Sequence, residues 1–221
     1  MKIQRPITIL AAIFTSFFLT SCNSGYNYEN GVWIWVSYDE SAGRRVKLVE
    51  SADSETFKIL KNKNYAADKQ AVFYLGTKIE KADPKTFEVV TDNGYAIDKS
   101  NVYLDWSIVL FADPKTFQHI DFLYSKDKND VYCGMIPLQL NKNEINEFVV
   151  TNKDDFMSSS KSSILLSNFI EFNPDYAWLD TLNIHRVIVG EAATGETKTR
   201  KFKGFREIKA DIPKHLFHYK Q

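Results

Sequence analysis

The chain has few of the features by which enzyme classes are recognised. Its charges balance, with 28 basic and 28 acidic side chains among 221 residues, and only two residues are cysteines. Balanced charge gives no argument for a nucleic-acid partner. The glycine-rich phosphate loops, the H-E-x-x-H zinc motif and the G-x-S-x-G nucleophile motif do not occur. We therefore expect no nucleic-acid partner, and no motif predicts a cofactor, a metal or a catalytic residue.

The chain also lacks an apolar run of the roughly 20 residues that a transmembrane helix needs. The N-terminal run, residues 7–19, has 13 residues, follows Lys2 and Arg5, and ends in Leu-Thr-Ser-Cys at residues 19–22. This pattern resembles the signal of bacterial lipoproteins, whose cysteine becomes the first mature residue. We predict a signal peptide over residues 1–21, lipidation of Cys22 and a polar tether over 22–31. The alternative is an ordinary secretory signal that contains a cysteine.

Two expectations follow from lipidation of Cys22. Asn23 and Ser24 follow the cysteine, without an aspartate or an acidic cluster, so we expect an outer-membrane lipoprotein that faces the periplasm. Cys133 is then the only free thiol of the mature chain, which excludes an intramolecular disulfide. We interpret Cys133 as a small packed side chain rather than a nucleophile.

The chain does contain an internal repeat. Residues 52–57, 82–87 and 112–117 read ADSETF, ADPKTF and ADPKTF, at a spacing of 30 residues both times. A tyrosine and an Asp-Lys pair follow each copy: Tyr65 with Asp68-Lys69, Tyr95 with Asp98-Lys99, and Tyr124 with Asp127-Lys128. A fixed period of this size predicts a tandem array of one structural unit.

Each unit is expected to contain one helical or 3₁₀ turn and about three short strands. Aspartate before proline is typical of a helix start, so the phenylalanine that ends each motif (Phe57, Phe87, Phe117) should enter the core. Tyrosine, valine and phenylalanine favour strands, and Asp-Lys fits a hairpin turn whose carboxylate accepts backbone N–H groups. The predicted fold class is all-β or mainly β, with repeats of ~30 residues over 32–140 and a β-rich lobe over 141–221.

In the C-terminal lobe we predict a hairpin of strands at residues 184–189 and 197–202, joined through 191–196 and extended by a strand at 205–208. Phe148 and Phe156 are possible relics of a fourth copy, and residues 158–163 are predicted to be a loop. The basic side chains of this lobe are concentrated in one run: Lys198, Arg200, Lys201, Lys203, Arg206 and Lys209. We interpret that run as a solvated or edge strand, with lipid phosphate or anionic glycan binding as the alternative.

Residues that invite a chemical interpretation have simpler explanations. Three equivalent Asp-Lys pairs argue against catalysis, because an active site needs one asymmetric constellation. Ser158 and Lys161 match a serine acyl-transfer motif without its companion motifs. The Asp127-Lys-Asn-Asp130 stretch lacks the ligand pattern of a calcium loop. His215 and His218 have no carboxylate or cysteine nearby in sequence, so we predict no metal site there.

The repeats resemble the DKNYY repeat family of bacterial envelope proteins. The strings YAADKQAVFYLGTKIEKADPKTF, YAIDKSNVYLDWSIVLFADPKTF and YSKDKNDVYCG carry the resemblance, over roughly residues 52–140. The first copy departs from the pattern at Gln70-Ala71, and the third is one residue shorter between Phe117 and Tyr124. The resemblance implies an envelope location and a repeat fold, and it brings no catalytic residues with it.

We therefore expect a non-enzymatic lipoprotein, held to the membrane by its acyl anchor, whose repeats form a platform for a protein or glycan partner. The alternative is an envelope enzyme or enzyme inhibitor with a site in residues 171–185. Four chemically capable side chains are close in sequence there: Glu171, Asp175, Asp180 and His185.

Overall fold

The computed structural model describes residues 24–121, 123–152 and 160–209. The predicted signal peptide, Cys22, Phe156, Ser158, His215 and His218 lie outside these ranges. The described chain is mainly β, with five small antiparallel sheets that follow one another along the sequence and a separate two-stranded pair. This arrangement confirms the predicted fold class.

The first four sheets are each built from consecutive strands. The leading unit has the order β1-β2-β3, with strands Gly25–Glu29, Val32–Asp39 and Gly43–Leu48. The tether predicted over 22–31 is therefore wrong for residues 25–29, which pair with β2 as a strand. Repeat 1 consists of β4 to β7, at Lys58–Ile59, Tyr65–Ala67, Val72–Tyr74 and Thr77–Lys78. Repeat 2 consists of β8 to β11, at Glu88–Val89, Tyr95–Ile97, Val102–Leu104 and Ser107–Ile108. Repeat 3 consists of β12 to β15, at Gln118–Asp121, Tyr124–Lys126, Val131–Cys133 and Ile136–Pro137.

A fifth sheet, repeat 4, has the same strand pattern but is split by an insertion. Helix α1 (Lys142–Glu147) precedes it, and Asn141 caps this helix in a capping box with Glu144. The strands of repeat 4 are β16 (Val149–Val150), β19 (Thr194–Glu196), β20 (Lys201–Lys203) and β21 (Arg206–Glu207). The insertion between β16 and β19 contains β17 (Lys161–Leu165), α2 (Leu166–Phe172), a 3₁₀ helix (Pro174–Leu182) and β18 (Arg186–Gly190).

The hairpin predicted for the C-terminal lobe is wrong in its pairing. β18 pairs with β17, and residues 194–196, predicted as part of the connection, form β19 and pair with β20. The reason is a tight turn at residues 197–200, where a strand was expected. The Thr197 hydroxyl accepts the backbone N–H groups of Thr199 and Arg200, as the aspartate does in the Asp-Lys turns.

The Asp-Lys turns form as predicted, and their aspartates do more than shape the turn. In repeat 2, Asp98 Oδ1 accepts the backbone N–H groups of Ser100 and Asn101, at 2.7 Å each. Asp98 Oδ2 accepts the backbone N–H of Asp83 at 3.0 Å and the Tyr103 hydroxyl at 2.7 Å. Asp98 as a whole is only 4% exposed. It therefore fastens the hairpin to the ADPKTF turn of the same repeat, a contact that the sequence pattern did not predict.

The lysine of each pair stays at the surface and contacts the aspartate that begins the ADPKTF turn. The three ion pairs are Lys69–Asp53 at 2.6 Å, Lys99–Asp83 at 2.9 Å and Lys128–Asp113 at 2.5 Å. The hydrogen-bonded ammonium group of Lys99 holds the pKa of Asp83 below its usual range. Exposed pairs of this kind contribute at most about 1 kcal/mol to the free energy of unfolding.

The phenylalanines of the three motifs occupy equivalent positions, as predicted, but each is half-buried rather than enclosed. Phe57, Phe87 and Phe117 each pack against a different apolar cluster. Phe87 lies between Tyr65 of repeat 1 and Tyr103 of repeat 2, with ring centroids 5.5 Å and 5.4 Å away. Each motif thus contributes an aromatic contact between neighbouring repeats.

Tyrosine hydroxyls join each unit to the next one. The hydroxyl of the buried Tyr65 donates to the carbonyl oxygens of Gly94, at 2.6 Å, and Asp105, at 2.8 Å, both in repeat 2. The same contact recurs along the array: Tyr26 with Asn64, Tyr95 with Leu123 and Gly134, and Tyr124 with Ala193 and Gly204. Burial raises the pKa of Tyr65 well above its ordinary value, so the hydroxyl stays a donor.

Replacing Tyr65 by phenylalanine tests this joint. Tyr65→Phe keeps the ring but removes the donor shared by two buried carbonyl groups, which should lower the free energy of unfolding by about 1–2 kcal/mol. The control is Tyr28→Phe, since Tyr28 is 54% exposed, and it should change stability by less than about 0.5 kcal/mol. Urea denaturation measures both variants. Equal effects would show that the hydroxyl contact does not join the units.

A second comparison tests the buried aspartate. Asp98→Ala leaves several buried N–H groups without an acceptor and should destabilise the protein by about 2 kcal/mol or more. Lys99→Ala removes only an exposed ion pair and should cost less than about 1 kcal/mol. Denaturation of the two variants under one condition gives the ranking. A lysine effect as large as the aspartate effect would contradict the role given to Asp98.

Candidate binding groove

An apolar groove of about 770 Å³ runs beside the edge strands β7 and β11 of repeats 1 and 2. Ile108, Leu110 and Met135 supply apolar lining from the repeats. Residues 182–186, from the end of the 3₁₀ helix to the start of β18, line it from the insertion. The groove therefore forms where the insertion of repeat 4 packs beside the preceding repeats, and we refer to it as the edge groove.

Aromatic rings line the edge groove. Trp106 is 39% exposed and contacts Tyr74 with ring centroids 5.7 Å apart. Phe111 is 63% exposed and stacks on Trp178 of the insertion, at 5.9 Å and an interplanar angle of 29°. A second cavity of about 460 Å³, lined in part by Asp130, Gln139 and Trp178, shares the Phe111 ring. The apolar surface thus continues on both sides of Phe111.

The backbone at Phe111 is in the left-handed region, with φ of 63°. The left-handed conformation recurs at the corresponding turn of the leading unit and of repeats 1 and 3, where Ser51, Lys81 and Gln139 have φ of 59°, 66° and 57°. Those three counterparts are polar, and a bulky aromatic side chain is unusual in this conformation. Such strain costs of order 1–3 kcal/mol and is often found at functional sites. The fold explains the turn at residue 111, but it does not explain an exposed phenylalanine there.

The rim of the edge groove is positively charged. Lys47, Lys78, Lys81 and Arg186 line it, together with His185. Among the described lining residues, Glu80 is the one acidic side chain. A cluster of like charges beside an apolar floor attracts ligands of the opposite sign and orients them before contact.

A partly buried ion pair fixes the insertion against repeat 2. Lys161 Nζ lies 2.8 Å from both carboxylate oxygens of Asp105 and 3.0 Å from the Asn93 carbonyl oxygen. The Asp105 side chain is 6% exposed. Residues 161–163 were predicted to be loop, which is wrong, because Lys161 begins strand β17 and pairs with Gly190 of β18.

The insertion also packs closely on repeat 3. The backbone N–H of Met135 donates to the Ile188 carbonyl oxygen at 2.9 Å. Beside it, a Cβ atom on Gly134 would overlap the same carbonyl group, so glycine is required for this approach. The wall of the edge groove is thus attached at two places to the repeats that form its floor.

Asp130 illustrates a buried carboxylate with a structural role. Its oxygens accept the backbone N–H groups of Val131, Gln139 and Leu140 at 2.7–3.0 Å. Burial raises the pKa of Asp130 above its ordinary value. Because three backbone donors occupy the carboxylate, it holds the chain after β15 in place, close to the groove.

The four residues of the alternative site lie in the described ranges and are all exposed. His185 lines the edge groove, whereas Glu171, Asp175 and Asp180 line neither of the two cavities. In the residues that the structure describes, no group of three or more His, Cys, Asp or Glu side chains is placed to hold a metal ion.

Two further sequence interpretations concern Cys133 and the basic run. Cys133 is buried, its thiol donates to the Gly190 carbonyl oxygen, and burial raises its pKa to about 12. It is a packed thiol, not an activated nucleophile.

In the basic run, β21 is an edge strand but β20 is internal to its sheet. Several of its charges are paired within the chain: Lys198 with Glu147, Arg200 with Glu207, and Lys201 with Glu196.

The sequence reasoning did not single out Trp106 or Phe111. A usable signal exists at residue 111, because aligning the three ADPKTF motifs places phenylalanine where the other units have serine and lysine. The opposite wall of the groove is formed by residues 182–186. No sequence pattern identifies this wall, since its position depends on how the insertion packs on the earlier repeats.

The sheets and the groove define a class: a protein of consecutive antiparallel β-repeats with a groove at the side of the array. The model of the DKNYY family matches residues 10–107 and 95–216, two overlapping regions that together cover most of the chain. The chain belongs to the DKNYY family. No curated protein and no solved structure gives a significant match. Within residues 24–121, 123–152 and 160–209, no helix is long and apolar enough to cross a membrane.

Proposed function

We propose that this protein is a non-enzymatic lipoprotein of the bacterial envelope, anchored through Cys22, whose edge groove binds an extended segment of a partner protein. The observation that carries the proposal is Phe111, which is 63% exposed on a left-handed backbone where the equivalent residues are polar. Stacking on Trp178 accounts for one contact of the ring, and the large part of the ring that stays exposed supports a role in contacting a ligand.

The lining of the groove favours a protein segment over a glycan. Its floor is largely aliphatic, and its volume of about 770 Å³ is in the range of ligand sites that enclose a few side chains. The apolar side chains of a protein segment pack well on an aliphatic floor of this kind. The basic rim favours a segment whose apolar residues are flanked by aspartate or glutamate.

The anchoring part of the proposal is based on residues 1–24. A basic start, a short apolar run and small residues before Cys22 together support lipidation, and two or more acyl chains suffice for stable attachment. The residues after Cys22 support the outer membrane, with the repeats on the periplasmic side. The array would then present the edge groove to other periplasmic or membrane-bound proteins.

Site-specific photo-crosslinking in cells tests the groove. A photo-reactive phenylalanine analogue at position 111 should give a discrete adduct that is sensitive to protease, because a protein segment lies against this ring. The matched control is position 172, since Phe172 is 77% exposed on α2 and does not line the groove. Lys78→Glu in the rim should reduce the adduct at 111 several-fold by repelling an acidic segment.

Three results would contradict the proposed groove function. One is the same adduct pattern at positions 111 and 172, which indicates nonspecific encounters. Another is an adduct at 111 that resists protease and is removed by glycosidase, which assigns the groove to a glycan. The third is an adduct that Lys78→Glu leaves unchanged, since the basic rim would then have no part in recognition.

Cell fractionation tests the anchor. Cys22→Ser removes the thiol that would carry the lipid, so the protein should move from the membrane fraction to the soluble fraction and lose incorporation of labelled fatty acid. Cys133→Ala is the matched control, because this second cysteine is buried, and it should keep both properties. Full retention of Cys22→Ser on membranes at high salt would refute lipidation as the means of attachment.

A further inference from the structure

The leading unit begins very close to the proposed anchor. Only Asn23 and Ser24 separate Cys22 from Gly25, the first residue of β1. An extended chain advances by at most about 3.6 Å per residue, so the Cα atoms of residues 22 and 25 are no more than about 11 Å apart. A lipidated Cys22 therefore keeps the leading unit within this distance of the membrane surface.

The strand register shows which part of the leading unit lies nearest to the anchor at Cys22. Gly25 pairs with Val36, and β2 continues to Asp39, with residues 37–39 paired to β3 alone. Extending β1 backwards in the same register places residue 22 opposite Asp39. Even if the chain from residue 22 to residue 25 is fully extended, Cys22 reaches no farther than Asp39, and the turn at residues 40–42 lies beyond it. Any bend between residues 22 and 25 shortens this reach.

The repeats do not cover this end of the hairpin. They pack on the face of the leading sheet that carries Trp33 and Trp35, which belong to one apolar cluster with Phe57 and Phe73. Side chains alternate along a strand, so Tyr38 lies on the opposite face from Trp33 and Trp35. On that face Ile34 and Val36 are buried, and the exposed part is the hairpin end. Tyr38 is 42% exposed, and Val46 on the neighbouring strand is 50% exposed.

The chemistry of the hairpin end suits a lipid headgroup layer. Tyrosine is enriched at membrane–water interfaces, where the ring meets apolar chains and the hydroxyl meets water. Residues 37–45 carry two acidic side chains, Asp39 and Glu40, and two basic ones, Arg44 and Arg45. Arg45 lies 3.4 Å from Asp39. Neither sign dominates, so contact with a membrane that contains anionic lipid meets no net repulsion.

We propose that the end of the β2–β3 hairpin, residues 37–45, rests in the headgroup layer of the membrane that holds the anchor. This inference rests on the proposed lipidation of Cys22. It sets the orientation of the whole array, with the leading unit at the lipid surface and repeat 4 farthest along the chain from it.

Fluorescence quenching in vesicles tests the orientation. The lipidated protein carries an environment-sensitive probe on Tyr38→Cys, in vesicles of phosphatidylethanolamine and phosphatidylglycerol with a nitroxide-labelled headgroup lipid. Residue 133 is buried and residue 22 acylated, so the new thiol alone reacts. The control is Val32→Cys, because Val32 is 43% exposed, much like Tyr38. It lies on the same strand, six residues or about 20 Å from Tyr38. Val46→Cys is a second probe near the anchor.

We expect the probes at 38 and 46 to be quenched several-fold more than the probe at 32. Equal quenching or the reverse order, in protein that floats with the vesicles, would overturn this inference and leave the anchor intact. If the protein does not float with the vesicles, both the proposed lipid anchor and this inference are wrong. Efficient crosslinking between the new thiols of two copies, without quenching, would assign the hairpin end to self-association and also overturn the inference.

Discussion

The hydrogen bonds from tyrosine hydroxyls to the next unit are the interaction on which the rest of the structure depends. Each repeat is a sheet of four strands that are only two to four residues long, too short for a stable isolated sheet. The buried ring of Tyr65 fills the space between two units, and its hydroxyl binds two carbonyl groups at the corner of the next sheet. Each unit thereby gains its stability from its neighbour, as in other repeat arrays. In repeat 4 the equivalent residue is Thr194, which bonds to Thr151 of its own repeat.

The local features of one repeat could be predicted from the sequence, because they depend on neighbouring residues. The period, the hairpin turn at Asp98 and the position of Phe87 are of this kind. The contact of Asp98 with the backbone of Asp83 joins positions 15 residues apart and depends on how two turns pack. Phe148 indicated a relic of a fourth copy, and it does precede β16 and pack on Tyr124. The later strands of repeat 4 were not recognised, since threonines replace its tyrosine and aspartate. The spacing of five residues from Thr197 to Phe202, the same as from Asp98 to Tyr103, is the signal that identifies it.

The edge groove was harder to predict than the fold for a physical reason. A period identifies equivalent positions, but it does not show which of them a distant segment covers. Phe111 stacks on Trp178, and Lys161 pairs with Asp105, across separations of 67 and 56 residues. These contacts arise only because the insertion folds back on earlier repeats. The edge groove thus depends on two parts: a regular array of repeats, which is visible in the sequence, and one insertion, which packs on the array at one position only.

The split in repeat 4 has a consequence for the order of folding. In repeats 1 and 2 the first two strands pair across seven residues, as Val89 does with Ala96. In repeat 4 the equivalent pair, Val150 with Gly195, is separated by 45 residues. Closing the longer loop costs about 1.5 kcal/mol more entropy before any contact is made, and such nonlocal pairing is slow. The early repeats therefore form a template first, and the edge groove is completed only when repeat 4 closes on it.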